Sequence, residues 1–361
     1  MKRVFVCLMA AGILLLSGCG RGLPQSREMD DMVLMRTMGV DAGEQPGELL
    51  VTFSSNRRAK GLQAQEQPPL VLSARSGSIG GACLAVQGQS DSYVFYGHVD
   101  QLLLGEGLAR QSGIVEALEY FSQDESLGLG AQGWLIREGS ARDAIRSGEE
   151  KGVDDRLTTL QEDSRMGSAG LTRTVGEVLT DLLEQQCAFL PGLQVSGQEN
   201  GTLSEAGYGV LKEGKLVGWL TGEQARGLEL ARERPGAELY EMNGAVVRVD
   251  TANLTCVPVV RNGQVEGLEL ELRLTARLEE GDKAALNREA LEREVARQGE
   301  RRVKAAVEQL QQWNADCLGL GLMAGASRPG SWKDIWSRWE ERFPELEISV
   351  RCTAALSNMD E

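Results

Sequence analysis

The chain has 361 residues, with 53 Asp and Glu against 38 Lys and Arg, a formal net charge of -15 and a single His. Hydrophobic residues make up 42% and charged residues 25%, a globular balance that excludes a disordered chain, collagen and a polytopic membrane protein. The acidity argues against a nucleic-acid partner, whose phosphates demand clustered Lys and Arg, and the lone His98 leaves little for a zinc site or a His-dependent triad.

At roughly 150 residues per domain, the length predicts two or three domains. The first signal is at the N-terminus. Lys2 and Arg3 precede an apolar run from Val4 to Leu16. That run is too short to span a bilayer, which takes about 20 residues, and it fits the hydrophobic region of a secretory signal. Leu16-Ser17-Gly18-Cys19 then has the lipobox pattern of bacterial lipoproteins. Small residues there let an extended backbone enter a signal peptidase, and the Cys19 thiol accepts a diacylglyceryl group. Residues 1–18 are therefore expected to be a lipoprotein signal peptide, with Cys19 as the lipid attachment site. Two or more acyl chains would hold the mature chain on the extracytoplasmic face of a membrane.

Residues 48–53 read as a strand and 56–69 as a polar loop, with a subdomain break near 55–75. Ile114, Val115, Leu118 and Phe121 recur at helical spacing. Residues 134–136 read as a short strand. Residues 147–173 are polar and Gly/Ser-rich, which predicts a flexible crossing or weakly ordered arm. Thr174 and Glu177 form a capping-box signature at the start of a helix with Val175, Val178, Leu179, Leu182 and Leu183 on one face. Pro191 closes that segment, and the polar stretch after it places a domain boundary near 200. The domains are then 19–200, with two α+β subdomains, and 201–361. Residues 208–220 read as a hairpin turning at Glu213-Gly214. Leu268, Leu270, Leu272, Leu274 and Ala276 alternate with polar residues, the mark of a strand buried on one face. Residues 284–313 read as a long helical stretch with Val303, Ala306, Val307 and Leu310 inward, and Gly299 is expected to mark a bend. Residues 347–351 form a final strand. Strands grouped around long helices, without regular βαβ alternation, indicate an α+β fold with mixed or antiparallel sheets.

Few residues carry chemistry. Gly128, Gly130 and Gly133 match GxGxxG by letter, but a helix precedes them and a strand follows, the reverse of a dinucleotide site, so a turn is expected. His98 and Asp100 have no nucleophile elbow to serve, and His98 reads as structural. Glu149-Glu150 and Glu279-Glu280 read as solvated pairs. Trp332, Trp336 and Trp339 recur at helical spacing and read as packing residues. Cys83, Cys187, Cys256, Cys317 and Cys352 show no disulfide or CxxC spacing, and Cys187 and Cys352 read as buried thiols.

Four ordered motifs resemble the Ger(x)C family of spore germination lipoproteins. Arg27 to Asp41 (REMDDMVLMRTMGVD) is similar to the family's opening strand, and Gly97 to Glu106 (GHVDQLLLGE), followed by Leu108-Ala109-Arg110, to its G-H…G-E segment. Gly209 to Thr221 (GVLKEGKLVGWLT), with Glu223 and Arg226-Gly227-Leu228 after it, resembles its G-W-L hairpin. Asp316 to Gly321 (DCLGLG), Trp332-Lys333 and Phe343-Pro344 resemble its ending. Residues 20–26 intervene where the family often has Trp-Asp directly after the lipidated Cys. The resemblance implies three α+β domains and a non-enzymatic lipoprotein subunit of a nutrient germinant receptor. It implies assembly with integral-membrane A and B subunits at the inner spore membrane. It brings no catalytic residue, cofactor or metal. The alternatives are a stand-alone lipoprotein binding a solute or cell-wall fragment, and an extracytoplasmic hydrolase using His98.

Overall fold

The computed structural model describes residues 32–56, 68–148, 152–196, 202–234, 239–242, 244–261, 264–282, 286–327, 329–331 and 336–357. The signal peptide and Cys19 lie outside them. The fold is α+β, built on two mixed sheets.

The first sheet gathers β1 (Met32–Ala42), β2 (Leu49–Ser55), β3 (Val71–Ser76), β5 (Gln101–Gly105), β6 (Gln132–Ile136), β8 (Cys187–Ser196), β9 (Thr202–Lys212) and β10 (Lys215–Leu220), with the short β4 (Tyr93–Phe95) on β1 and β7 (Arg173–Thr174) on β6. Its centre is parallel, through β1, β5, β6 and β8. Parallel strands need helical crossovers, which cover both faces, so they read as unbroken apolar runs rather than alternation. Leu102-Leu103-Leu104 in β5 shows this: the outer pair packs into one core and Leu103 into another. The first core holds α1 (Ile79–Gln87), α2 (Glu106–Gln111), α3 (Val115–Gln123) and α6 (Val175–Gln185). The second holds α4 (Ala141–Ser147) and α5 (Val153–Arg165).

The second sheet runs β11 (Leu239–Met242), β12 (Ala245–Arg261), β13 (Gln264–Glu280) and β14 (Glu347–Leu356). The even Leu positions of β13 are buried while Arg273, Thr275 and Arg277 are exposed, as the alternation requires. α7 (Gly222–Ala231), α8 (Arg288–Gln312), α9 (Leu320–Ser327) and α10 (Trp339–Arg342) share the core on the covered face. Gly299 marks closeness rather than a bend: a Cβ there would sit 2.9 Å from Leu274 Cδ1 on the sheet.

Several sequence expectations change. Residues 153–165 of the expected arm form α5, because Val153, Leu157 and Leu160 at helical spacing bury against the first sheet. Pro191 lies inside β8, at an irregular register between Pro191 and Leu193 where a ladder N–H is dispensable. Leu183 is 77% exposed, so the apolar face of α6 ends before it. The boundary expected near 200 falls on 197–201, outside the described residues; the strands on either side of it pair antiparallel, and β9 and β10 lie in the first sheet. The break expected near 55–75 falls largely on 57–67, outside the described residues; β2 and β3 on either side of it pair with each other. The resemblance implies three domains; the described residues form two sheet-centred units. The Glu213-Gly214 turn has φ of 50° and 76°, the left-handed pair a two-residue hairpin needs.

Candidate functional site

His98 is exposed and meets the Phe95 ring edge-on, with centroids 5.7 Å apart. Asp100 instead pairs with Arg36. The GxGxxG stretch turns before β6, with Ala131 N–H donating to the Gly128 carbonyl at 3.1 Å. Glu279 pairs with Arg248 and Arg277, at 3.3 and 2.9 Å. Glu149, Glu150 and Trp332 lie outside the described residues. Among the described residues no cluster of His, Cys, Asp and Glu could hold a metal. All five body cysteines are free, and burial pushes the Cys187 thiol up to about 12, so it is an inert packing group.

The motif residues are brought together in pairs. Asp41 accepts hydrogen bonds from Ala141 N–H at 2.7 Å and Arg142 N–H at 2.9 Å, so a β1 carboxylate caps α4. Gly105 is needed beside it, since a Cβ there would collide with the Asp41 carboxylate. Glu106, next in the chain, accepts from Glu138 N–H at 2.7 Å, Arg110 at 2.7 Å and the Trp219 indole at 3.2 Å. Burial acts to raise its carboxyl pKa, but these donors prevail and hold it below the ordinary value. Two motifs separated by 113 residues thus meet across α2 and β10.

Asp316 is the hub of the second unit. Its carboxylate accepts from Leu320 N–H and Gly321 N–H, both at 2.9 Å, and from the Trp339 indole at 3.0 Å. Burial pushes its pKa up, opposed by those donors. The indole lies so close that a Cβ on residue 321 would sit 2.7 Å from it, so only glycine fits. Trp339 is therefore a packing and hydrogen-bonding group, and Trp336 packs beside the same core.

Between the two units lies a two-lobed cleft. One lobe, about 520 Å³, runs between α6 and Phe189 on one side and residues 231–234, Leu254 and the start of α9 on the other. The second, about 590 Å³, runs between the end of α5 and Arg248, Asp250 and Arg277 of the second sheet. Leu171, Glu233 and Arg234 line both. Beneath the first lobe Arg173 is 5% exposed, stacks 4.6 Å from the Phe189 ring and donates to Asp181 at 2.8 Å. The sequence gives no motif for this cleft.

The comparisons divide the chain between β8 and β10, earlier than the two sheets do. The family model described as "Spore germination protein N-terminal domain" matches residues 25–195, and "Spore germination B3/ GerAC like, C-terminal" matches 206–359. A solved structure, "Crystal Structure of the GerBC protein", is similar with TM-score 0.59 at 18% identity, over 89% of this chain and 97% of that chain. At that identity the likeness concerns the fold alone. No curated protein matches significantly.

Proposed function

Given that the chain belongs to the Ger(x)C family of spore germination proteins, we propose that it is a non-enzymatic subunit of a spore nutrient germinant receptor. The observation that carries this is the match of two spore-germination family models to adjoining stretches, 25–195 and 206–359. The motif carboxylates support a structural role: Asp41, Glu106 and Asp316 all spend their oxygens on protein donors.

In this reading Cys19 carries the lipid that tethers the chain to the outer face of the inner spore membrane, where it assembles with integral-membrane A and B subunits. No helix among the described residues is long and apolar enough to cross a membrane. A tether raises the effective concentration of the two units for partners in the same membrane. The test is capture from gently solubilised dormant-spore inner membranes. Recovery with a polytopic and a transporter-like protein, and loss of membrane association in Cys19→Ala with impaired nutrient germination, are the expected results. A chain recovered alone, with germination normal in Cys19→Ala, would overturn the reading.

A further inference from the structure

The arginines of this acidic chain are mostly paired with carboxylates. Three that have no carboxylate partner among the described residues, Arg165, Arg232 and Arg234, line the same two-lobed cleft. The carboxylates around them are already spent. Glu177 closes the capping box of α6 and lies 3.6 Å from Arg173. Asp181 holds Arg173. Glu233 accepts from Asn253 Nδ2 at 3.2 Å and Leu254 N–H at 3.0 Å. Asp250 lies 3.2 Å from Arg277. Glu184, at the α6 end, is the exception.

Arg232 is placed with unusual purpose. Its guanidinium lies 5.6 Å from the Phe189 ring, whose π system also faces Arg173. Two cations on one ring repel each other, and Asp181 neutralises only Arg173. Arg234 stands where the lobes join. In the second lobe Arg248 is held by Glu279 at 3.3 Å and Arg277 by Asp250 at 3.2 Å, which leaves Arg165 and Arg234 as the lobe's cations without a carboxylate among the described residues. The cleft is concave, and each lobe has the volume of a small-molecule site. A guanidinium fork matches the paired oxygens of carboxylate and phosphate.

We propose that this cleft binds a small anion carrying two or more phosphate or carboxylate groups, held by Arg165, Arg232 and Arg234. The inference goes beyond the receptor assignment and does not depend on it. The same chemistry is presented by a free metabolite or by a lipid headgroup, and the experiment separates the two.

The mature chain is titrated calorimetrically with pyrophosphate and, separately, citrate at low ionic strength, against sodium chloride of matched ionic strength. Saturable one-to-one binding of either anion is expected. Arg234→Ala should weaken it at least about tenfold, as loss of a charge-assisted fork does, and Arg234→Lys by less, since the charge remains. Arg261→Ala, far from the cleft lining and paired with Glu266, should leave it unchanged. Unliganded melting temperatures should match across the set, because Arg234 holds no protein carboxylate. Co-sedimentation with cardiolipin-containing vesicles, whose headgroup carries two phosphates, identifies the source: vesicle binding through the same arginines, displaced by pyrophosphate, assigns a headgroup. No saturable binding of either anion, binding indifferent to Arg234, or vesicle binding that free anions neither share nor displace would overturn the proposal.

Discussion

Replacing Asp316 by Ala tests the central physical claim of the second unit. The substitution removes one carboxylate and leaves three buried donors, Leu320 N–H, Gly321 N–H and the Trp339 indole, without acceptors. An orphaned buried donor costs about 1–3 kcal/mol. Set against this is the desolvation of the carboxylate itself, which the mutant no longer bears and which shows in its raised pKa. The net loss should be about 3–5 kcal/mol, a large part of a typical domain's 5–15 kcal/mol. Urea denaturation of the mature chain, followed by tryptophan fluorescence, reads it as a lower midpoint at unchanged slope. Asp316→Asn keeps one acceptor oxygen and should lose less. A loss below about 1 kcal/mol for the Ala variant would mean that water or rearrangement satisfies the donors, and the hub argument would fail.

Three further outcomes follow from single contacts. Gly227→Ala drives a Cβ into the Arg302 carbonyl oxygen where α7 and α8 cross; the backbones must separate, and a loss of roughly 2–4 kcal/mol in the same denaturation assay is expected. Trp219→Phe removes the indole N–H from Glu106 and should cost about 1–2 kcal/mol, with Glu106→Gln in the same background adding less than it does alone; full additivity would show that the two do not interact. Asp154, 3% exposed, is pushed up to about 6, first by burial, then by Asp155 and Asp100 against the pull of Arg36. Its folded pKa lies above its unfolded one, so its favourable contribution is complete below about pH 4 and lost as pH rises through 6. Asp154→Asn should therefore stabilise by about 1–3 kcal/mol at pH 7 and by nothing at pH 3.5, read as melting temperature against pH; an equal effect at both would refute the assignment.

What the sequence made legible was set by the length of each periodic signal. The β13 alternation, the α8 stripe, the capping box at Thr174 and Glu177 and the Glu213-Gly214 turn are local rules, and each reappears in place. The α5 stripe has only Val153, Leu157 and Leu160 inside a polar segment, so composition outweighed period. The stretch near residue 200 is of a different kind: Gly and polar residues mark a link between paired strands as readily as a link between domains, and β8 and β9 on either side of it are paired while the two family models meet there. His98 could be set aside from sequence because no nucleophile accompanies it. The arginine cleft could not be found, since Arg165, Arg232 and Arg234 meet only through packing of the two units.

The motif residues are those whose loss leaves a partner stranded. Glu106 with Trp219, Asp41 with Gly105 and the start of α4, and Asp316 with Gly321 and Trp339 each join residues distant in function of chain position but fixed in space. Apolar core positions tolerate exchange if volume is kept, whereas a buried acceptor cannot be exchanged alone. The cleft arginines belong to none of these pairs. Arg234 could change with no buried donor or acceptor left unmet, so its retention or loss answers to a ligand and not to the scaffold. Anion binding, if it follows Arg234, is then a property on which chains of this one fold are free to differ.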